Sequence, residues 1–168
     1  MRRITSLQLV DKRKQSFLIE LNSLPWREVD VEVILKFHLQ VGDKLSPEQQ
    51  SQIDRENEYV LARRRAVNFC VKQPRSQRDV LRMLARKNVK DAVIERVMRE
   101  LVKQHLLRDR EVARRQVRRA ERAKTGPLKA QAELAQRGVS EELINEEIQP
   151  ILDPEWQKSG AMELAKKR

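Results

Sequence analysis

A chain of 168 residues with 36 lysines and arginines against 25 aspartates and glutamates carries a formal charge of +11. That balance makes a nucleic acid, or a complex containing one, the leading class of partner. Four glycines, three phenylalanines, one tyrosine and two tryptophans are too few turn and strand formers for a mostly β protein.

In chain order, ITSLQLVDKRKQSFLIEL (residues 4–21) sets two short apolar runs around a polar DKRKQ, which predicts two strands joined by a turn. The opening MRRITSLQLV meets Asp11 and Lys12 before an apolar signal region can form. Next, VDVEVILKFHL (29–39) carries two periodicities: Val29, Val31 and Val33 alternate as in a strand, whereas Val33, Ile34 and Phe37 keep helical spacing. Helix is the preferred reading. Gly42 marks a turn, after which Ser46 as cap, Pro47 at the first helical position and Gln49 closing a capping box start a helix over about 46–57.

YVLARRRAVNFCV (59–71) supplies Leu61, Ala66, Val67, Phe69 and Cys70 to the next helix. Its cysteine is the only one in the chain, which excludes an internal disulfide and fits a reducing compartment; its apolar neighbours suit a buried thiol. In QPRSQRDVLRMLARKNV (73–89), Ser76 caps a helix and Asp79 stands three residues later to return the bond. Val80, Leu81 and Leu84 form its apolar stripe, and Asn88 falls where a left-handed residue ends a helix. Val93, Ile94, Val97, Met98 and Leu101 then give a third helix its buried face. No stretch reaches the roughly 18 apolar residues of a membrane span, so a cytoplasmic chain without membrane association is expected.

A shift of fifty residues brings a second copy into register. Arg64, Arg65 and Val67 meet Arg114, Arg115 and Val117; Leu84 and Ala85 meet Leu134 and Ala135; Val89 meets Val139, and Ile94 meets Ile144. Asn88 meets Gly138, the two residue types best able to take a positive φ. Asp109 caps the first helix of this copy, and Gly126 with Pro127 stands where Ser76 stood. The pattern predicts a mainly α chain of tandem three-helix modules forming an elongated body, behind a small N-terminal segment containing a β-hairpin. The expected segments are 1–58 (hairpin plus helices), 59–104 and 105–152 (the two repeats), and 153–168, the start of a third, truncated repeat.

These residues resemble the RecX family of bacterial regulators of the RecA recombinase. PRSQRDVLRMLARKNV is similar to the cap, apolar stripe and turn of one family module, and KTGPLKAQAELAQRGVS to a second, including its Lys-x-Gly start. LLRDREVA (106–113) resembles the family's Leu-Leu-Asp-Asp-x-x-Phe-Ala connector, and the N-terminal segment resembles the β-containing extension of some members. The chain departs from the family at His105 and Asn88, where glycine is usual, at Arg108 in place of an acid and at Val112 in place of an aromatic.

Catalysis would need a constellation that the sequence does not supply. His38 and His105 lack a metal-ligand pattern, and Gly42, Gly126, Gly138 and Gly160 build neither a phosphate loop nor a dinucleotide fingerprint. A non-enzyme without metal or cofactor is expected. The arginines are more informative. Arg78, Arg82 and Arg86 share one strip of their helix with Arg75 just before it, while Arg115, Arg118, Arg119 and Arg122 share an arc opposite Ala113, Val117 and Ala120. With Arg114, Lys124 and Lys129 these are the candidate partner and DNA contacts, although pairs such as Glu111 with Arg115 would equally suit a solvated face. Few aromatics accompany them, which favours phosphate contact over base stacking.

The resemblance implies a monomeric negative regulator that binds the RecA filament on single-stranded DNA, and also double-stranded DNA, and inhibits ATPase and strand exchange. The alternative is a general basic helical DNA- or RNA-binding protein without direct recombinase contact.

Overall fold

The computed structural model describes residues 1–13, 15–123 and 126–149. They belong to two compact units, Met1–Arg65 with Asn88–Val97, and Ala66–Lys87 with Met98 and the described residues after it.

In the first unit the expected hairpin forms from β1 (Arg2–Asp11) and β2 (Ser16–Leu21) and extends into a four-stranded antiparallel sheet of order β3-β2-β1-β4, with β3 at Leu24–Asp30 and β4 at Lys44–Leu45. Leu21 pairs with Leu24 across a two-residue loop, and Asn22 and Ser23 take φ of 53° and 63°, the pair of positive values that a tight hairpin turn demands. Pro25 hides β3 from a sequence reading. It is tolerated because β3 is an edge strand, where a missing donor breaks no ladder bond on the open side. The ambiguous run divides: Val29 ends in the strand, and Val31–Phe37 form α1, capped by Asp30, whose carboxylate accepts from the Glu32 N–H. Ile4, Ile19, Leu21, Val29, Val33 and Ile53 are the buried centre of this unit.

Ser46 and Gln49 exchange the expected capping-box bonds, but the helix they start does not end near 57. It is α2, a single 26-residue helix, Pro47–Lys72, so the segment boundary at 58/59 falls inside it. The polar residues Asp54, Glu56, Asn57 and Glu58, where the helix is expected to end, are held by partners distant in sequence. Asn57, 6% exposed, accepts from the Asp30 N–H and donates to the Glu28 carbonyl, tying α2 to β3. Glu56 binds Arg96 and Lys36 at 2.7 Å each, and the Arg96 bond, followed by Lys36, holds its carboxyl below the ordinary range against the opposing effect of burial. Arg96 also lies 3.5 Å over the Tyr59 ring.

The remaining helices are α3 (Gln77–Ala85), α4 (Asp91–Lys103), α5 (Asp109–Ala123), α6 (Pro127–Gln136) and α7 (Glu141–Ile148). The fifty-residue repeat is visible in their starts, with α3 and α6 opening at 77 and 127, and α4 and α7 at 91 and 141. Leu84 and Leu134, Val89 and Val139, and Ile94 and Ile144 are all buried. Asn88 and Gly138 both have positive φ, 53° and 70°. In the second unit Ala113, Val117, Leu134, Val139, Ile144 and Ile148 form one apolar cluster among α5, α6 and α7. The expected third-repeat start, 153–168, lies outside the described residues. No described helix is long and apolar enough to cross a membrane.

The two matched stops differ in what they tolerate. A Cβ at Gly138 would lie 2.5 Å from Arg78 Cδ and 2.8 Å from Arg78 Cβ. Gly138→Ala is therefore expected to destabilise the protein by more than the roughly 1–2 kcal/mol of a left-handed alanine, whereas Asn88→Gly is expected to stay within about 0.5 kcal/mol. Urea unfolding midpoints of the two variants check both.

Candidate nucleic-acid interface

The arginine face of α5 follows from helical periodicity. Val112, Ala113, Gln116, Val117 and Ala120 are buried, which turns Arg114, Arg115, Arg118, Arg119 and Arg122 to the opposite, exposed side, where with Glu111 they line a single stripe. The start of the stripe is neutralised by α7. Arg110 binds Glu146 at 2.6 Å and Arg114 binds Glu147 at 3.1 Å. Glu111 pairs with Arg108 and not with Arg115. Arg115, Arg118, Arg119 and Arg122 stand in one row and have no ion-pair partner among the described residues.

Gln116 is a polar residue on the buried side that the sequence reading leaves out. Its amide donates to the Glu133 carboxylate of α6, which satisfies a group that would otherwise be buried unpaired. The only sequence signal for it is its place between Ala113 and Val117.

The second row, on α3, is divided among different tasks. Arg82 Nη2 donates to the Gln136 carbonyl at 2.7 Å and Arg78 Nη1 to the Ala135 carbonyl at 3.4 Å. Ser76, fully buried, accepts from the Asp79 N–H at 3.1 Å and donates to the Arg137 carbonyl at 2.9 Å. All three acceptors are at the C-terminal end of α6, where helix carbonyls have no intrahelical donor and cations meet the negative end of the dipole. Two of the four α3 arginines thus close a helix end within the second unit. Arg75 is half-buried, its guanidinium carbon 3.9 Å above the Phe69 ring. Arg86 is exposed at the end of α3, and Lys129 is exposed on α6. Lys124 lies outside the described residues.

Asp109, the expected cap of α5, is that helix's first residue, and its carboxylate accepts from the Gln77 N–H of α3 at 3.2 Å. Burial pushes its carboxyl above the ordinary aspartate range, the Gln77 bond opposes the rise and Asp79 adds to it. Cys70 is buried, and burial pushes its thiol up, away from the reactive thiolate. His38 and His105 both adopt left-handed backbone, φ 51° and 53°, a local turn role that matches the glycine usual at the second position. Among the described residues no cluster of three or more His, Cys, Asp or Glu could hold a metal.

Comparison with known proteins points in one direction. A sequence profile described as RecX, second three-helix domain, matches residues 109–147. Regulatory protein RecX of Halalkalibacterium halodurans is 36% identical over 118 residues, 69% of this chain and 44% of its own. That of Geobacillus kaustophilus is 31% identical over 121 residues, 71% and 45%. A crystal structure of regulatory protein RecX matches with a TM-score of 0.75 and 25% identity over 99% of this chain and 82% of that one. RecX from Lactobacillus salivarius shares the fold at a TM-score of 0.60 and 18% identity, over 67% and 73%. The chain spans about half the length of the curated relatives it matches.

Ser76→Ala removes a helix cap, about 1 kcal/mol, and leaves the Arg137 carbonyl without its donor, about 1 kcal/mol more. Arg82→Gln is expected to lose about 0.5–1 kcal/mol and Arg86→Gln nothing measurable, in the same urea titrations. For Asp109, the raised folded pKa means that the folded chain binds the extra proton. Stability from this group is therefore present at low pH and falls as pH rises from the ordinary aspartate range through the folded value. Asp109→Asn keeps an acceptor for Gln77 and is expected to remove that component from the pH–stability curve.

Proposed function

Because the chain belongs to the RecX family, we propose that it is a negative regulator of homologous recombination that binds the RecA filament on single-stranded DNA and lowers its ATPase and strand-exchange activities. The observation that carries the DNA half of this reading is the row Arg115, Arg118, Arg119 and Arg122, exposed on one stripe of α5 with no acidic partner among the described residues. Guanidinium groups one helical turn apart are suited to successive backbone phosphates, and their recognition of phosphate needs no base sequence.

In this mechanism the protein acts by binding and has no catalytic residue or cofactor. Charge draws the chain to the nucleoprotein filament and raises the on-rate. The three-helix modules, 59–104 and 105–152, are the units that bridge neighbouring recombinase subunits, which interferes with ATP turnover and strand exchange. The protein works as a monomer in the cytoplasm. Single-stranded DNA within the filament is the main nucleic-acid partner, and double-stranded DNA is bound through the same phosphates.

The test is a recombinase ATPase and filament-binding assay at several salt concentrations. Substoichiometric protein should slow ATP turnover. Changing Arg115, Arg118, Arg119 and Arg122 together to Gln should weaken filament binding and lower the slope of log affinity against log salt by about 3, from roughly 0.7 per phosphate on a single strand, with helicity unchanged by circular dichroism. Unchanged ATP turnover with intact binding to bare DNA would favour a general DNA- or RNA-binding protein. Unchanged binding by the quadruple variant would move the interface away from α5.

A further inference from the structure

Between the end of α2 and the outer side of α3, within the second unit, lies a groove of about 500 Å³ lined by Phe69, Arg75, Arg82, Met83, Arg86 and Lys87 together with Asp79. Its size falls within the roughly 300–1,000 Å³ of small-ligand sites. One wall is a prebuilt stack, the Arg75 guanidinium 3.9 Å above the Phe69 ring. The Gln73 amide oxygen, in the orientation that satisfies both groups, accepts from the Arg75 terminal nitrogens and holds the plane from its edge. Phe69 and Arg75 both line the groove, so the stacked pair is part of its wall. The remaining charges divide cleanly. Arg82 is committed to the Gln136 carbonyl, and Asp79 accepts from the Ser76 N–H. Arg86 and Lys87 are exposed and have no side-chain partner among the described residues.

A flat cation backed by an aromatic ring, half-buried Met83 beside it and two uncommitted cations at the rim match the two halves of a nucleotide. We propose that this groove binds one nucleotide unit, its base stacked on Arg75 and its phosphate held by Arg86 and Lys87. The proposal rests on the nucleic-acid reading above and adds base stacking to a protein whose α5 face offers only phosphate contacts. The nucleotide comes either from a single strand or from a free mononucleotide, which have the same base and phosphate chemistry.

The experiment uses the full chain with fluorescein-labelled oligothymidylate of eight residues, an abasic octamer of equal length, and thymidine monophosphate as competitor. The wild type is expected to bind the thymidylate strand about fivefold or more tightly than the abasic one, a modest share of the stacking effect known for single strands. Arg75→Lys, which keeps the charge and loses the plane, should abolish that ratio and leave abasic binding unchanged. Arg86→Gln with Lys87→Gln should weaken both strands. Competition by the mononucleotide against wild type but not Arg75→Lys supports a free nucleotide as the source; an intact strand ratio without competition supports the single strand. Equal wild-type affinity for the two strands, or a ratio that survives in Arg75→Lys, overturns the site. Failure of the α5 reading is separate, because it shows as unchanged affinity for both strands in the α5 quadruple variant, whatever the base-dependent ratio.

Discussion

The second unit depends on how the C-terminal end of α6 is closed. A helix end leaves four carbonyls without intrahelical donors, and here the chain turns back at once through Gly138, whose φ of 70° is open to few residues. The Gly138 and Val139 N–H groups satisfy the Ala135 and Leu134 carbonyls. The last carbonyls are then reached from a helix some sixty residues earlier, by the Ser76 hydroxyl and the Arg82 guanidinium, with Arg78 beside them. Ser76 is the most constrained of the three. Its oxygen starts α3 and ends α6 at the same point, in a position with no access to water. Glycine at 138 serves two purposes, since it permits the turn and leaves room for the Arg78 stem that crosses it.

That closure engages Arg78 and Arg82, and other cations are engaged elsewhere in the fold. In the first unit several cations are answered internally: Arg27 by Asp54, Lys36 and Arg96 by Glu56, Arg63 by Glu32, Arg64 by Asp30, and Lys90 by Glu58. In the second unit Arg110 and Arg114 meet the acids of α7 and Arg82 meets a helix end. Among the described residues, the exposed cations that these bonds do not engage include Arg115, Arg118, Arg119 and Arg122 on the outer stripe of α5 and Arg86 and Lys87 at the rim of the Arg75 groove. Net charge therefore overstates the positive charge that is free of internal bonds. Surface ion pairs of this kind contribute little to stability, so the paired arginines differ from the four of α5 mainly in having an acidic partner among the described residues.

Local rules carry most of what is legible in the sequence. The capping boxes at Ser46 and Ser76, the positive φ at Asn88 and Gly138, the hairpin and the fifty-residue register depend on neighbours within a few positions, and each is present in the structure. The arc of α5 is legible for the same reason, because periodicity alone separates Ala113, Val117 and Ala120 from the arginines. What stays hidden is fixed by residues distant in sequence. The continuation of α2 past residue 57 is hidden because the partners of Glu56 and Asn57, namely Arg96, Lys36 and the backbone of β3, lie elsewhere in the chain. Arg78 and Arg82 share a strip with Arg86 by the same periodicity, yet nothing local distinguishes those that reach the carbonyls of α6. The Phe69 and Arg75 stack spans a helix end and a proline, where helical spacing gives no guidance.

The repeat and the packing divide the chain differently. Shifted by fifty residues, α3 and α6 occupy the same place in successive modules, but their caps are not equivalent. Ser76 has a side chain that bonds outward to Arg137, whereas Gly126 has none and leaves the start of α6 to Pro127. The outward bond joins the middle helix of the first module to the middle helix of the second, so α3 belongs to one compact unit with α5, α6 and α7. A solenoid of independent modules would place each binding surface on its own repeat. Here the α5 arginine stripe and the Arg75 groove come from different repeats but from the same packed unit. Loss of the Ser76 bond would therefore reach both surfaces through the fold, although neither contains that serine.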